Sequence, residues 1–289
     1  MSDLELARRL QSSRYDLAID FHGGPRSSLL TWLSRAPVRI GYQVAGRGWM
    51  YTRRVPRPRE LRARHSVENQ WDLLRALDFP EPNRTAFPVE MPVDPDARRA
   101  VDDRLSDAGI ENGDRLIVIH VSAGNPFRRW PTESFVELVR ALASGKPGRR
   151  ILLTSGPSDQ SAVGRVVADA RAGLDEASGR RIVSCGDFSL AELRALLERS
   201  CLYIGGDSGP LHVAATTNVP VVGLYGPTLP ARSEPWRAPE YVAEAVEVHD
   251  LPCRPCDQRI CAPGDFRCLT SIGPGQVLEA AERALRYAE

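Results

Sequence analysis

The chain has 289 residues, of which 42% are hydrophobic and 26% charged, and its net charge is +1. That composition excludes a disordered or fibrous protein and argues against a general polyanion binder such as a nucleic-acid protein. The length suits two domains of roughly 100 to 200 residues each. No apolar run approaches the roughly 20 residues of a membrane-spanning helix, and the Met1-Ser2-Asp3-Leu4-Glu5 start is acidic where a secretory signal is basic, so the expected compartment is the cytoplasm.

In chain order, short apolar runs alternate with amphipathic helical patterns, which specifies an α/β fold with parallel sheets covered on both faces. Tyr15–Asp20 and Val38–Gly41 read as strands, Pro25–Ser34 and Ser66–Leu77 as helices. The stretch from Phe79 to Pro95 holds five prolines and reads as a linker, so the expected domains are residues 1–92 and 93–289. Beyond the linker, Leu116–His120, Ile151–Thr154, Arg181–Ser184, Cys201–Ile204 and Val219–Tyr225 are five buried strand candidates. Phe135, Leu138, Val139 and Leu142 share one helical face, Ser189 and Glu192 form a capping box ahead of the next helix, and Pro274–Tyr287 reads as a terminal helix.

Between Arg39 and Arg64 stand eight arginines and one acid, Glu60, a local excess of +7 that suits phosphates or an anionic membrane surface; a solvated face with scattered ion pairs is the alternative. Arg53 and Arg54 lie within it.

Two glycine-bearing segments carry the chemistry. In Tyr203-Ile-Gly-Gly-Asp-Ser-Gly-Pro-Leu-His212 a strand runs into a turn and then a helix, with Pro210 near the first helical position and backbone N–H groups free for an anion. A tight turn with a helix cap is the plainer reading. The second segment, His120-Val-Ser-Ala-Gly-Asn-Pro-Phe-Arg-Arg-Trp-Pro131, follows an earlier strand of the same sheet. Loops after parallel strands meet at the carboxyl edge of the sheet, where ligands bind in open α/β folds. Ser122, Ala123, Gly124 and Asn125 would then lie beside a ligand, and Arg128 or Arg129 would neutralise a leaving diphosphate.

Taken with Tyr15-Asp-Leu-Ala-Ile-Asp20, Arg39-Ile-Gly-Tyr42 and Leu224-Tyr-Gly-Pro-Thr228, these segments resemble glycosyltransferase family 9, the ADP-heptose:lipopolysaccharide heptosyltransferases, over nearly the whole chain. The resemblance implies a GT-B-like architecture of two Rossmann-like domains, with the donor held by the C-terminal one. It places Arg128, Asp207, Ser208, Gly209 and His212 at the donor phosphates, with Thr228 and Arg232 in the following loop. It also implies inverting transfer of a heptose from an ADP-activated donor, without a required cofactor, to a lipopolysaccharide core or related glycan, at the cytoplasmic face of the inner membrane. The Arg39–Arg64 stretch would face that acceptor.

Family members carry a strand, a Gly-Asp-x-x-Leu loop with a catalytic aspartate, and further units ahead of the segment that matches Tyr15–Asp20. Those features are missing here, so the N-terminal domain is expected to be incomplete. Either the start is internal to a longer reading frame or the chain is a shortened protein, and a non-catalytic nucleotide-sugar-binding module is the competing reading. Asp20 and His22, at a strand end, are the candidates for a substitute base. Cys253, Cys256, Cys261 and Cys268 read as reduced thiols packing a proline-rich loop, with no metal; zinc is the alternative, for which their spacing is only loosely suitable.

Overall fold

The structure, a computed structural model, describes residues 2–57, 64–111, 113–156 and 159–287. Arg59, Glu60 and Arg62 of the arginine-rich stretch lie outside the described residues. The chain divides into two units, Met1–Asn83 and Arg84–Glu289.

The first unit is built on a parallel sheet of β1 (Leu17–Asp20), β2 (Val38–Tyr42) and β3 (Arg53–Val55), in that order. Helices Asp3–Ser12, Pro25–Leu33 and Ser66–Arg75 accompany it. The core is small: Ile40, Tyr42 and Leu73 are buried, with Ile19, Val38, Val44 and Val55 packed against them. The N-terminal helix was not read from the sequence, although Ser2 and Glu5 form a reciprocal cap at its start.

The second unit carries six parallel strands: β4 (Arg115–His120), β5 (Arg149–Thr154), β6 (Ile182–Val183), β7 (Leu202–Gly206), β8 (Val221–Tyr225) and β9 (Ala243–Glu247). Their order is β6-β5-β4-β7-β8-β9, the doubly wound dinucleotide-fold arrangement, with the direction of winding reversing between β4 and β7. The period-two alternation of strands sorts side chains to opposite faces. Ile117 and Ile119 join helices Thr132–Ser144, Gln160–Ala172 and Pro274–Arg286 in one buried cluster, while Leu116 and Val118 join helices Pro95–Asp107 and Leu190–Glu198 in another.

The predicted helical face Phe135, Leu138, Val139 and Leu142 is wholly inside, and the Ser189–Glu192 capping box forms in both directions. Strand β9 was not predicted. Its Ala-Glu-Ala-Val-Glu sequence lacks the β-branched run that marks a strand, and as an edge strand it buries only Val246. The proline-rich stretch is irregular up to Pro95, but its residues beyond Arg84 pack on the second unit. Trp236 Nε1 donates to the Phe87 carbonyl at 2.8 Å, and Arg194 Nε to the Met91 carbonyl at 2.8 Å. These contacts explain why the division falls at Asn83. Among the described residues no helix is long and apolar enough to cross a membrane.

Candidate functional site

The two chemistry-bearing loops leave β4 and β7 side by side, at the point where the winding reverses, because β4 and β7 are hydrogen-bonded neighbours. Gly206 makes the close approach possible: a Cβ there would stand 3.1 Å from the Arg128 carbonyl oxygen.

Arg128 joins the loops. Its Nη1 donates to the Asp207 carbonyl at 2.9 Å and lies 3.2 Å from the Asp207 carboxylate. Its Nε donates to Gln258 Oε1 at 2.7 Å, and Asn125 Nδ2 donates to the same oxygen at 2.9 Å. Arg129 turns away, to the Ala123 carbonyl and Asp159. Of the two arginines that the loop alone left open, Arg128, the one the resemblance implied, is therefore the one at the junction.

Asp207 is buried and organises the far side. Its Oδ2 accepts from Thr228 Oγ1 at 2.6 Å and Ser233 Oγ at 3.1 Å, and its Oδ1 lies 3.8 Å from His212 Nε2. Burial lowers the His212 pKa, with Asp207 pulling it upward and Arg128 lowering it further. Ser208 is half-buried and Gly209 exposed, so the turn is open to solvent. Ser208 Oγ bonds only locally, to the Gly206 carbonyl at 3.3 Å. Arg232 lies not in a loop but in the short helix Pro230–Ser233 after β8, and among the described residues its guanidinium has no partner.

Beneath the β4 loop runs a buried chain of hydrogen bonds. Thr154 Oγ1 lies 3.0 Å from His120 Nδ1, and His120 Nε2 lies 3.2 Å from Ser122 Oγ, which accepts from the Gly156 N–H at 2.8 Å. If Ser122 donates its hydrogen to Nε2, the ring proton sits on Nδ1 and faces Thr154. Burial pulls the His120 pKa down to about 4, so the imidazole is neutral at pH 7. Ala123 is buried and Gly124 exposed.

Three participants were not singled out from the sequence as site residues: His120, Gln258 and Arg254. Arg254 is 5% exposed at its side chain, pairs with Glu247 at 2.8 Å and donates to the Thr228 carbonyl at 2.7 Å, holding the loop after β8. Arg254 and Gln258 sit in a cysteine- and proline-rich segment with no periodicity to read. His120 stood in the sequence as the end of a strand and the first residue of the β4 loop segment, with no role of its own.

The cysteine quartet does not assemble a metal centre: among the described residues no group of three or more His, Cys, Asp or Glu side chains could hold a metal ion. Cys253, Cys256, Cys261 and Cys268 instead line an apolar cavity of about 130 Å³ with Phe127, Ile260 and Phe266. Burial raises the Cys268 thiol pKa.

In the first unit, Asp20 closes β1 and is 4% exposed. Its carboxylate accepts from Tyr51 Oη at 2.6 Å, the Gly23 N–H at 2.8 Å, the His22 N–H at 2.9 Å and Ser27 Oγ at 3.1 Å, while Ser28 Oγ lies 2.7 Å from Tyr51 Oη. Burial alone would raise its pKa; the hydrogen bonds, led by Tyr51, outweigh it and hold the pKa below the ordinary carboxylate value. With about four lone-pair sites on a carboxylate, these four donors occupy the acceptor positions that a substrate proton would need. The His22 side chain is exposed and close above Gly24, where a Cβ would meet the imidazole at 2.8 Å.

The model of glycosyltransferase family 9 (heptosyltransferase) matches residues 4–264. The chain belongs to glycosyltransferase family 9. Among relatives in this family, lipopolysaccharide heptosyltransferase 3 of Escherichia coli is 27% identical over 261 residues, 88% of this chain and 71% of that protein. Lipooligosaccharide heptosyltransferase 2 of two Campylobacter jejuni strains is matched over 53% and 52% of its length. A family 9 glycosyltransferase from Veillonella parvula has a structure that matches with a TM-score of 0.78 at 26% identity, covering 98% of this chain and 78% of that one. The E. coli ADP-heptose lipopolysaccharide heptosyltransferase II matches with a TM-score of 0.73 at 22% identity, covering 99% and 81%. This family 9 chain is thus an α/β protein of GT-B-like fold, with a three-stranded sheet in the first unit and a six-stranded sheet in the second.

Proposed function

We propose that the chain transfers a heptose, or a similar sugar, from an ADP-activated donor to a lipopolysaccharide core or related glycan, with inversion at the anomeric carbon. The observation that carries this reading is the Arg128–Asp207 junction, which sets a guanidinium beside a solvent-open Ser208-Gly209 turn at the carboxyl edge of the second unit. An acceptor hydroxyl attacks the anomeric carbon, the bond from that carbon to the ADP oxygen breaks on the opposite face, and the hydroxyl proton passes to water. The departing diphosphate is stabilised by Arg128 and Arg232, and the Ser208 hydroxyl and Gly209 N–H donate to it. Ser122, Ala123, Gly124, Asn125 and Thr228 border the same donor, while Asp207 and His212 order the pocket. No cofactor is needed for such a step, because the arginines supply the positive charge. The acceptor is received by the first unit, and work on a lipid-linked glycan places the protein in the cytoplasm with peripheral contact at the inner membrane. The names of the family 9 relatives support the substrate class.

The saturated Asp20 carboxylate favours a second reading, a nucleotide-sugar-binding module without turnover. Calorimetry with ADP, UDP and GDP, followed by ADP release from ADP-heptose with and without a lipopolysaccharide-core acceptor, separates the two. Preferential ADP binding with acceptor-dependent release is expected of the transferase; ADP binding without release identifies the module; and no nucleotide binding removes both.

A further inference from the structure

Three turns leave the carboxyl edge of the first unit's sheet, after Asp20, Tyr42 and Val55, and arginines from two of them close on the first. Arg47 donates from Nη2 to the Gly23 carbonyl at 3.3 Å. Arg57 arrives from the turn after β3, with Nη1 3.8 Å from where a Gly23 Cβ would stand, and its guanidinium lies 5.2 Å from the centre of the Tyr42 ring. Gly23 is buried beneath them at φ +70, a conformation that suits glycine. Among the described residues, neither guanidinium has an ion-pair partner, and Arg47 Nε is buried without a hydrogen bond.

We propose that Arg47 and Arg57 form an anion subsite that takes a phosphate monoester of the acceptor. Two positive charges drawn to one glycine repel each other unless an anion lies between them. The nearby Asp20 carboxylate does not serve, because it is buried and filled by four donors. A phosphate monoester carries about −1.5 to −2 at pH 7 and matches two guanidinium charges better than a carboxylate at −1. The platform is also preset. Tyr42 is held by its hydroxyl, which donates to the Asn69 carbonyl at 2.8 Å, and stacking on its ring fixes the Arg57 plane while leaving its N–H edge free. The neighbouring arginines are engaged elsewhere: Arg53 with the Ala76 carbonyl, Arg39 with Met50 and Ala36, and Arg64 with Asp72. Arg54 is exposed, with its Cδ beside Gly48.

The inference rests on the reading that the first unit receives the acceptor. The test is a side-chain Arg Nε–Hε NMR titration with glucose 6-phosphate, with glucose as the uncharged control. Arg47→Gln and Arg57→Gln should each weaken binding at least fivefold, Arg57→Lys should fall between, and Arg54→Gln should match the wild type. ADP affinity, measured on the same proteins, should be equal in all. Vesicles of phosphatidic acid form a second arm, and arginine-dependent capture by these alone would place the phosphate on a lipid rather than a sugar. Glucose 6-phosphate and vesicle binding that ignore both arginines, or no binding to either probe, overturn the subsite even if ADP still binds. Arginine-dependent phosphate binding without any ADP binding keeps the subsite and sinks the donor reading instead.

Discussion

Arg128 Nη1 donates to the main-chain oxygen of Asp207 and sits 3.2 Å from the carboxylate of the same residue, so one side chain fixes both the position and the charge of the turn after β7. The residues are 79 positions apart in sequence, and the contact exists because β4 and β7 are neighbours at the winding reversal. A guanidinium has five N–H donors in a fixed fork. Its bonds to Asp207 and Gln258 leave others for a ligand.

Replacing Arg128 with alanine should therefore act on both folding and binding. Hydrogen bonds to charged groups contribute about 1.5–3 kcal/mol, so ADP affinity should fall at least about tenfold and the melting temperature should drop. Arg128→Lys keeps the charge but not the fork and should lie between. Calorimetry with ADP and a thermal melt check this; unaltered ADP affinity in the alanine variant would remove Arg128 from the donor site.

Gly206→Ala tests the junction without touching a charge. The new Cβ would press on the Arg128 carbonyl, a main-chain atom that moves only with its loop. Overpacking of this kind costs about 1–3 kcal/mol. ADP affinity should fall while the far ends of the sheet stay unchanged, which amide chemical shifts can map.

The junction was legible because its residues lie in short, local signals: glycine turns after apolar strands, with arginine close by. Those signals fixed the loops but not the choice between Arg128 and Arg129, which depends on where Ala123, Asp159 and Gln258 end up in space. The same limit hid the Asp20 environment, since Tyr51 is 31 residues away and reaches the carboxylate only after β2 and β3 pair beside β1. Cysteine spacing left zinc as an alternative for a related reason. Four thiols on an irregular segment do not show in sequence what they face, and the folded segment turns them to an apolar cavity. Edge strand β9 escaped because it buries almost nothing.

Buried, neutral His120 should make stability depend on pH. Its folded pKa, about 4, is depressed by burial from an ordinary 6.5, so the unfolded chain binds the proton more readily. The stabilisation is fully present above pH 6.5 and is lost as pH falls toward 4; at 1.36 kcal/mol per unit the loss approaches about 3 kcal/mol. Urea unfolding at pH 7 and pH 5 should differ by about 2 kcal/mol more in the wild type than in His120→Gln. Equal pH dependence in the two proteins would show that His120 does not titrate as a buried group.

Asp20 offers the sharpest contrast between anchoring and catalysis. Tyr51 donates to it at 2.6 Å, and burial followed by this bond pushes the tyrosine pKa up to about 12. Tyr51→Phe removes that donor, so the Asp20 pKa should rise, which carboxyl NMR can follow. Because the folded pKa lies below the unfolded one, Asp20 stabilises the protein above the ordinary carboxylate range and loses that effect as pH falls through its folded value. Acid unfolding of Tyr51→Phe should accordingly begin at higher pH, with a loss at neutral pH of about 1–3 kcal/mol. Gly41→Ala should act in the same direction, since its Cβ would collide with the Tyr51 ring. Asp20→Asn should lower the melting temperature more than either, because three further donors lose their charged acceptor. A general base behaves otherwise: its loss removes about 10²–10⁴ of rate. If Asp20→Asn melts like the wild type but loses sugar transfer by that factor, the carboxylate is a proton acceptor and the anchoring account is wrong.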